Sequence, residues 1–398
     1  MRLCDFADFI LYIQEEYSKL KLTKRMLRKN GNQKRRKELK TMKKTIALLL
    51  AILTVFGLAA CGKTDAPAAS NQAALSQEAV VEVAPAADAN NYSGTVMMYS
   101  SMQEDQLVAI KQGFEAKYPG ITMEYYFAGT SKVVTKISTE AQAGHVDADV
   151  IWVGDAADYV SFKKANILQQ YSSPEAEGAI DAKFIDPEGY YTAARLVGVG
   201  ISYNTGLVTE EEAPKTWNEL LDPKWNDQIV MSDPGSAGTT KYWMNAMMCS
   251  DKYGTDFMQK LKDNGCYLES GTTATHNQLA ASAYKVGVCL DYVTANLSSE
   301  GSPIAFLYPE DTISIPSPIG LVADCKNEEN GKLLYDFILS KEGQEILVAN
   351  NLISVRNDVE QAADVATMAA KAMECDLAKL ASQGEANLDA FNKIFGLS

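Results

Sequence analysis

The sequence predicts an α/β fold, because short apolar runs alternate with helical stretches from Gly94 onward. The first such pair is a strand over residues 95–99 and a helix over residues 104–118. Residues 148–153 are almost continuously apolar, which is typical of a parallel strand that helices cover on both faces. A glycine-containing extended segment at 197–205 then begins a second series of strands and helices. We therefore expect two α/β units.

The other predicted elements follow from the same patterns. Pro119-Gly120 ends the first helix, residues 121–126 alternate like a second strand, and a helix follows Gly129-Thr130-Ser131 as far as about residue 143. Later we predict a helix that Pro214 to Trp217 introduce, strands at 228–231 and 286–292, a helix at 239–249, extended segments at 305–309 and 314–323, and helices at 327–339 and 341–350. The chain thus leaves the first unit and returns to it.

The charge of the chain argues against a nucleic-acid partner. Of the 398 residues, 46% are hydrophobic, which is enough for a sizeable core, and the formal net charge is −14. Residues 1–60 carry 14 of the 37 Lys and Arg and 5 of the 51 Asp and Glu, which leaves 23 basic against 46 acidic residues in the rest. An acidic body repels nucleic-acid phosphates, and we find no local basic patch that would offset this repulsion.

Residues 42–60 have the pattern of a secretory signal peptide. Lys43 and Lys44 supply positive charge, and an apolar run over residues 46–60 follows them. This run is shorter than the roughly 18 to 20 residues that a transmembrane helix needs. The sequence around Cys61, Leu-Ala-Ala-Cys-Gly, resembles the bacterial lipobox, whose cysteine is acylated after cleavage. We therefore predict that Cys61 anchors the protein on the extracytoplasmic face of the cell membrane.

The segments beside the signal peptide are expected to lie outside the folded body. A signal peptide is normally N-terminal, so we interpret residues 1–41 as a non-native extension that precedes the true start at Met42. Residues 61–93 comprise the predicted lipidated cysteine and a linker rich in Ala, Gln, Asp, Pro and Ser, which predicts a flexible tether.

Five further cysteines lie in the body without the spacing of a metal site: Cys249, Cys266, Cys289, Cys325 and Cys375. An odd number cannot all pair within one chain, so we expect free thiols, with one disulfide left open.

Several short strings in the body, taken in order, resemble a known family. Tyr99-Ser100-Ser101, residues 114–121 and residues 148–152 are similar to bacterial extracellular solute-binding proteins of the ferric-iron, polyamine and phosphonate-like group, within family 1. The likeness continues through residues 200–204, the Pro-Lys-Thr-Trp-Asn-Glu-Leu segment at 214–220, and residues 349–357. It covers about residues 94 to 360 and lies behind a lipobox.

The resemblance implies a type 2 periplasmic-binding-protein fold, with two α/β lobes, two hinge strands and a ligand cleft between the lobes. The first lobe would comprise residues 94–198 and 300–398 with the C-terminal helices, and the second lobe residues 199–299. Its implied function is that of a monomeric binding lipoprotein of an ABC importer, which delivers a small solute to an ABC permease. We expect no cofactor.

Three loops are predicted to bind the ligand, because open α/β sheets bind ligands at the carboxyl ends of strands, beside helix N-termini. Hydroxyl residues and glycines at a helix N-terminus expose backbone N–H groups to an anion. This favours a phosphorylated or phosphonate-type organic solute, although the same residues can simply cap their helices. The residues concerned are Ser100 and Ser101, Thr130 and Ser131, and Ser236, Gly238 and Thr239.

Asp155, Asp291 and Tyr292 are further candidates, because each follows a predicted strand or ends one. They would bind hydroxyls, an amine or a metal, while Asp155 is equally suited to cap the next helix. Ferric iron is the alternative ligand, with Tyr292 and Asp155 as its donors. Iron-binding members of the resembled group use two adjacent tyrosines, however, and the corresponding segment here has only Tyr292.

A surface hydrolase is the alternative from another functional class. The chain has many serines and two histidines, His145 and His276. It contains no Gly-x-Ser-x-Gly elbow, no HExxH motif and no Walker loop, so we predict that it is not an enzyme.

Overall fold

The computed structural model describes residues 92–362 and 364–397. The strands of this part are β1 (Gly94–Ser100), β2 (Ile121–Phe127), β3 (Val150–Trp152), β4 (Thr192–Asn204), β5 (Ile229–Ser232), β6 (Tyr267–Glu269), β7 (Val286–Leu290), β8 (Ile304–Leu307) and β9 (Ile313–Leu321). The helices are α1 (Glu104–Lys117), α2 (Thr130–Gln142), α3 (Ala156–Lys164), α4 (Gly238–Cys249), α5 (Gly254–Asp263), α6 (Thr272–Ala280), α7 (Asp291–Ser299), α8 (Glu328–Leu339), α9 (Lys341–Ala349), α10 (Asp364–Lys371) and α11 (Leu377–Phe395).

Two groups of parallel strands are joined by a pair of long antiparallel strands. The order is β2-β1-β3-β9-β4-β7-β5-β6, and β8 also pairs with β4. We call β1–β3 with α1–α3 the first half, and β5–β7 with α4–α7 the second half. Strand β4 changes partner at Val199, from β9 on one side of the crossing to β7 on the other. The sheet therefore connects the two halves through β4 and β9.

Apolar periodicity explains the helices that flank the sheet. On α1, Leu107, Ile110 and Phe114 recur every three or four residues and are buried. The ring of Phe114 packs edge-on against Phe337 of α8, with centroids 5.7 Å apart. Trp217 and Trp243 pack together as well, in a tilted arrangement with centroids 5.4 Å apart. Each half thus has its own aromatic packing layer on the sheet.

The C-terminal helix α11 packs against both halves. It contacts α3 in the first half and α4 and α5 in the second half. The amide nitrogen Nδ2 of Asn245 on α4 donates to the carbonyl of Leu380 on α11, at 2.8 Å. At the other end of α11, the Nζ atom of Lys262 lies 5.8 Å from the centroid of the Phe395 ring.

Some predicted elements are wrong or incomplete. The strand predicted at 286–292 ends at Leu290, and Asp291 begins α7, because an acidic residue favours the first turn of a helix. The helix predicted after Pro214 is only a 3₁₀ turn at Trp217–Leu221, which Thr216 caps and Pro223 follows. Helices α5, α6, α7, α10 and α11 were not anticipated individually.

The five body cysteines are free thiols in the described residues. No helix within residues 92–362 and 364–397 is long and apolar enough to cross a bilayer. The same residues contain no cluster of His, Cys, Asp or Glu that would hold a metal ion. Cys61, the signal peptide and the linker lie outside the described residues, apart from the last two residues of the linker.

Gly200 on β4 provides a test of this packing. A Cβ atom at Gly200 would lie 2.4 Å from the carbonyl oxygen of Leu307 on β8, so Gly200→Ala must push β4 and β8 apart. We expect a loss of about 1–3 kcal/mol in the free energy of unfolding, measured by urea denaturation. Gly271→Ala is the control, because a Cβ there meets nothing within 4 Å. Equal stability of the two variants would contradict the packing.

Candidate functional site

A cavity of about 640 Å³ lies between the two halves at the carboxyl ends of their parallel strands. Both halves line it, as expected where the strand order of an open α/β sheet places a ligand crevice. The lining residues are Ser101, Gln103, residues 127–132, Gly154, Arg195, residues 235–239, residues 270–274, Asn277, Leu290 and Tyr292.

Three helices begin at this cavity without a side-chain cap. Helices α2, α4 and α6 follow Gly129, Ala237 and Gly271, and none of these N-cap residues accepts a hydrogen bond from its helix. The first backbone N–H groups of a helix have no partner within it, so at an uncapped terminus they remain available to a ligand. The helix dipoles make all three termini partly positive. This geometry suits a bound anion.

Ser101 is positioned as a hydrogen-bond donor to a ligand. Its Oγ atom accepts hydrogen bonds from Thr130 Oγ1 at 3.0 Å and from the Gly154 backbone at 3.1 Å. The two accepted bonds occupy the lone pairs and fix the side chain, so the hydroxyl hydrogen of Ser101 remains free to donate. Thr130 and Gly154 thereby orient Ser101 from the neighbouring loops.

Arg195 supplies the cavity with a buried positive charge. Strand β4 has a register shift against β9 between Ala193 and Arg195, and such a bulge redirects the side chains beside it. The side chain is only 2% exposed, and one hydrogen bond of 3.0 Å joins its Nη1 atom to Gln106 Oε1. Its Nε atom has no partner among the described residues, and no described carboxylate lies within 4.0 Å of it. Burial lowers the pKa of Arg195, but an arginine side chain stays charged in proteins.

Two aromatic rings lie close to this guanidinium. Its central carbon lies 5.4 Å from the ring centroid of Tyr292 and 5.8 Å from that of Trp152. The two rings hold the planar group in place by cation–π contact.

Seven of the ten residues predicted to bind a ligand line the cavity: Ser101, Thr130, Ser131, Ser236, Gly238, Thr239 and Tyr292. The cavity also contains residues that the sequence prediction missed, namely Gln103, Lys132, Arg195, Asn277 and the loop 270–274. The one sequence signal that could have identified Arg195 as a site residue is that it is the single charged residue in the apolar stretch 192–204.

The other three candidates, Ser100, Asp155 and Asp291, are not among the described lining residues of this cavity. Ser100 is fully buried, and its hydroxyl donates to the Trp152 carbonyl at 2.8 Å. Asp155 caps α3 by accepting from the Ala157 backbone at 2.9 Å. The polar atoms of these two residues are thus engaged within the protein, and for Asp155 this is the helix cap that the sequence offered as its alternative role.

Asp291 lies behind the cavity, at the crossing of the strands. Its carboxylate accepts from the backbone of Gly198 on β4 at 2.8 Å and from the Tyr308 hydroxyl at 3.1 Å. It also lines a second cavity, of about 360 Å³, on the far side of Tyr292. Asp291 thus ties α7 to the hinge strand and does not face the ligand cavity.

Beside the cavity, residues of the two halves are in direct contact. Ser131 Oγ donates to the carbonyl of Gly235 at 2.5 Å, and Lys241 on α4 forms ion pairs with Asp155 and Asp158 of the first half, at 3.0 and 2.9 Å. A Cβ atom at Gly238 would lie only 2.5 Å from Thr130 Oγ1. Gly238 therefore permits the close approach of α4 to α2.

The model of the bacterial extracellular solute-binding protein family matches residues 148–374, which is more than half of the chain. The chain belongs to this family. Membership implies a small solute as ligand, an ABC permease as partner, and a location outside the cytoplasm. Both family and fold are those of binding proteins.

Two relatives are similar to the chain over more than half of its length. An uncharacterized protein of Haemophilus influenzae is 27% identical over 269 residues, 64% of this chain and 76% of the relative. A putative 2-aminoethylphosphonate-binding periplasmic protein of Salmonella paratyphi A is 29% identical over 241 residues, 57% of this chain and 67% of the relative.

The periplasmic binding protein AfuA of Actinobacillus pleuropneumoniae, solved with fructose-6-phosphate, superposes with a TM-score of 0.70 at 23% identity, covering 77% of this chain and 100% of that one. A ferric binding protein of Campylobacter jejuni gives 0.66 at 21% identity, covering 75% and 99%. These likenesses confirm the predicted type 2 periplasmic-binding-protein fold.

Substitution of Gly238 tests the closed arrangement. In Gly238→Ala the new Cβ overlaps the Thr130 side chain, so we expect the halves to stay further apart and the radius of gyration at saturating inorganic phosphate to rise. Small-angle X-ray scattering measures this. Adding Thr130→Gly removes all three overlapping atoms and should restore the wild-type value. A radius that Gly238→Ala leaves unchanged would refute the steric argument.

Asp291 gives the stability a pH dependence. Burial raises its pKa to about 7, although hydrogen bonds from Tyr292, Gly198 and Tyr308 lower it. This pKa lies above the pKa of the same group in the unfolded chain. The contribution of Asp291 to the free energy of unfolding is therefore fully present below about pH 4 and is lost as pH rises towards 7. Relative to wild type, Asp291→Asn should therefore gain free energy of unfolding between pH 4 and 8, on the order of a few kcal/mol.

Urea denaturation at several pH values measures this gain. Asp358→Asn is the control. Because Arg356 lowers the pKa of Asp358, the free energy of unfolding of this variant should fall relative to wild type as pH rises. A stability difference between Asp291→Asn and wild type that stays constant with pH would show that Asp291 ionises normally.

Proposed function

We propose that this protein captures a small organic anion bearing a phosphate or phosphonate group and delivers it to an ABC importer. Arg195 carries this proposal, since a buried guanidinium without a carboxylate partner stabilises an anion strongly. The three uncapped helix termini and the Ser101 hydroxyl support it from neighbouring positions. A tetrahedral anion with several acceptor oxygens matches such convergent donors.

Ferric iron is less well supported by the groups around the cavity. Fe(III) favours hard, negatively charged oxygen ligands. Tyr292 is the one tyrosine among the described lining residues, which include no carboxylate. His276 lies behind the lining, where its Nε2 atom accepts from the Leu290 backbone at 3.1 Å and its Nδ1 atom lies 2.7 Å from the Thr272 carbonyl.

A hydrolase is likewise poorly supported. A hydrolase with a Ser–His–Asp triad needs a histidine within hydrogen-bond reach of the nucleophilic serine. Neither His145 nor His276 lines the cavity in the described part of the chain, and His145 instead lies 3.3 Å from Asp147 on the surface.

The proposed mechanism is a shift of population between open and closed forms. The two lobes, residues 94–198 with 300–398 and residues 199–299, would rotate about β4 and β9. A ligand that contacts Ser101, Thr130 and Arg195 in one lobe and Gly238 and Thr239 in the other binds the closed form better. The closed form then docks on the permease.

The proposed location rests on the sequence alone. Cleavage after the signal peptide at 42–60 and acylation of Cys61 would tether the protein outside the membrane, with residues 61–93 as the flexible link. We propose that it acts there as a monomer.

Removal of the Arg195 charge tests the function. We expect Arg195→Met to weaken binding of a phosphorylated ligand about 10- to 100-fold, because a hydrogen bond to a charged group contributes about 1.5–3 kcal/mol. Folding should persist, since the variant removes a buried charge that has no carboxylate partner. Thermal-shift screening of sugar phosphates, phosphonates, polyamines and Fe(III) identifies the ligand, and calorimetry measures the affinity.

Lys224→Met is the matched control, because it removes a positive charge from an exposed position outside the cavity. Stabilisation by Fe(III) or a polyamine alone, or an affinity unchanged in Arg195→Met, would refute the proposed anion site.

A further inference from the structure

The charged residues that line the cavity itself are both cations, whereas Asp105 and Glu300 line a smaller adjoining cavity of about 140 Å³ that shares Gln103 and Asn277 with it. Lys132 and Arg195 are the charged residues of the described lining, which contains no Asp and no Glu. Neither cation forms a salt bridge with a described carboxylate. The cavity thus has a formal charge of two positive units, whereas the whole chain has a net charge of −14. A ligand that balances this charge is a dianion, as a phosphate monoester is near neutral pH.

An ammonium group on the ligand would be unfavourable here. Closure between the halves removes water, and a desolvated ammonium needs a carboxylate partner to offset the loss of hydration. The cavity presents hydroxyls, amides and backbone carbonyls to an ammonium group, and no carboxylate. Its two cations, Lys132 and Arg195, repel such a group. A zwitterion with one phosphonate and one amine would also leave part of the cavity charge unbalanced.

Uncharged groups of a ligand have suitable partners. Gln103 and Asn277 present amides, which both donate to and accept from hydroxyls. The Oε1 atom of Gln103 lies 3.4 Å from Thr273 Oγ1 of the other half, so this amide lies where the halves meet. Phe127 is 40% exposed, although it is a large apolar residue, and it offers a face for a carbon skeleton.

We propose that the ligand is a phosphate- or phosphonate-bearing molecule whose other groups are hydroxyls or further anions, and that the cavity rejects analogues carrying an amine. This rests on the proposed function. It separates the chain from its Salmonella relative that is named for 2-aminoethylphosphonate binding. The specificity comes from missing carboxylates as much as from the donors that are present.

A matched pair of ligands tests the discrimination. The compounds 2-hydroxyethylphosphonate and 2-aminoethylphosphonate differ only in a hydroxyl against an ammonium group. Glucose 6-phosphate and glucosamine 6-phosphate form an equivalent pair with a larger body. By isothermal titration calorimetry at pH 7, we expect the hydroxyl compound of the pair that binds to have a Kd at least about tenfold lower than that of its amine counterpart.

A carboxylate placed in the cavity should remove the discrimination. Gln103→Glu adds a negative charge at the edge of the cavity, and we expect it to bring the ratio of the two Kd values to about one or to invert it. Gln112→Glu is the control, because it makes the same change at an exposed position of α1, the helix that directly follows Gln103. It should leave the ratio as in wild type.

The possible results separate the two proposals. Equal or tighter binding of the amine compound by the wild-type protein would overturn the discrimination and leave the anion site standing. A ratio that Gln103→Glu leaves unchanged would overturn the assignment of the discrimination to the missing carboxylates. Failure of every phosphorylated and phosphonate compound to bind would overturn the proposed function itself.

Discussion

The guanidinium of Arg195 occupies a position from which water is nearly excluded and at which no carboxylate neutralises it. A charge in such a place is unfavourable by itself, so the surrounding structure must hold it there. The bulge on β4, the rings of Trp152 and Tyr292 and the hydrogen bond to Gln106 together do so. An anion bound beside the guanidinium, as we propose, would supply the electrostatic stabilisation that the surrounding protein does not provide. The other hydrogen-bond donors of the cavity lie in the loops that surround this guanidinium.

The sheet explains how the other donors reach the same place. Parallel strands end at one edge, so the loops after β1, β2 and β3 converge, and those after β5, β6 and β7 converge opposite them. Strand β9 pairs with β3 of the first group, β4 pairs with β7 of the second, and β9 pairs with β4, so these two strands connect the groups and the two edges line one cavity. Glycines at 129, 154 and 238 keep the gap narrow, since a side chain at each would approach an atom of the opposite half within 3.3 Å.

Much of the fold and part of the site were predictable from local patterns. Strands β1 to β3 and helix α1 have strong apolar periodicity, and the hydroxyl loops follow directly from where such strands end. Arg195 was not predictable, because its direction depends on a register shift between strands that are distant in sequence. The position of Asp291 was not predictable for the same reason, as its partner Gly198 comes from another element, whereas the capping of α3 by Asp155 is local and was predicted as one of its two roles. Helix α6 escaped prediction because its buried face includes the polar residues Thr275 and His276.

The C-terminal helix α11 has a mechanical consequence. Since α11 rests on α3 and also on α4 and α5, a wide separation of the halves would strip it from one of its two supports and expose the apolar residues Leu380, Phe391 and Phe395. A movement that swings open on the side remote from α11 avoids that exposure. We therefore expect the halves to separate with α11 kept in contact with both of them, as a hinge beside the crossing strands β4 and β9.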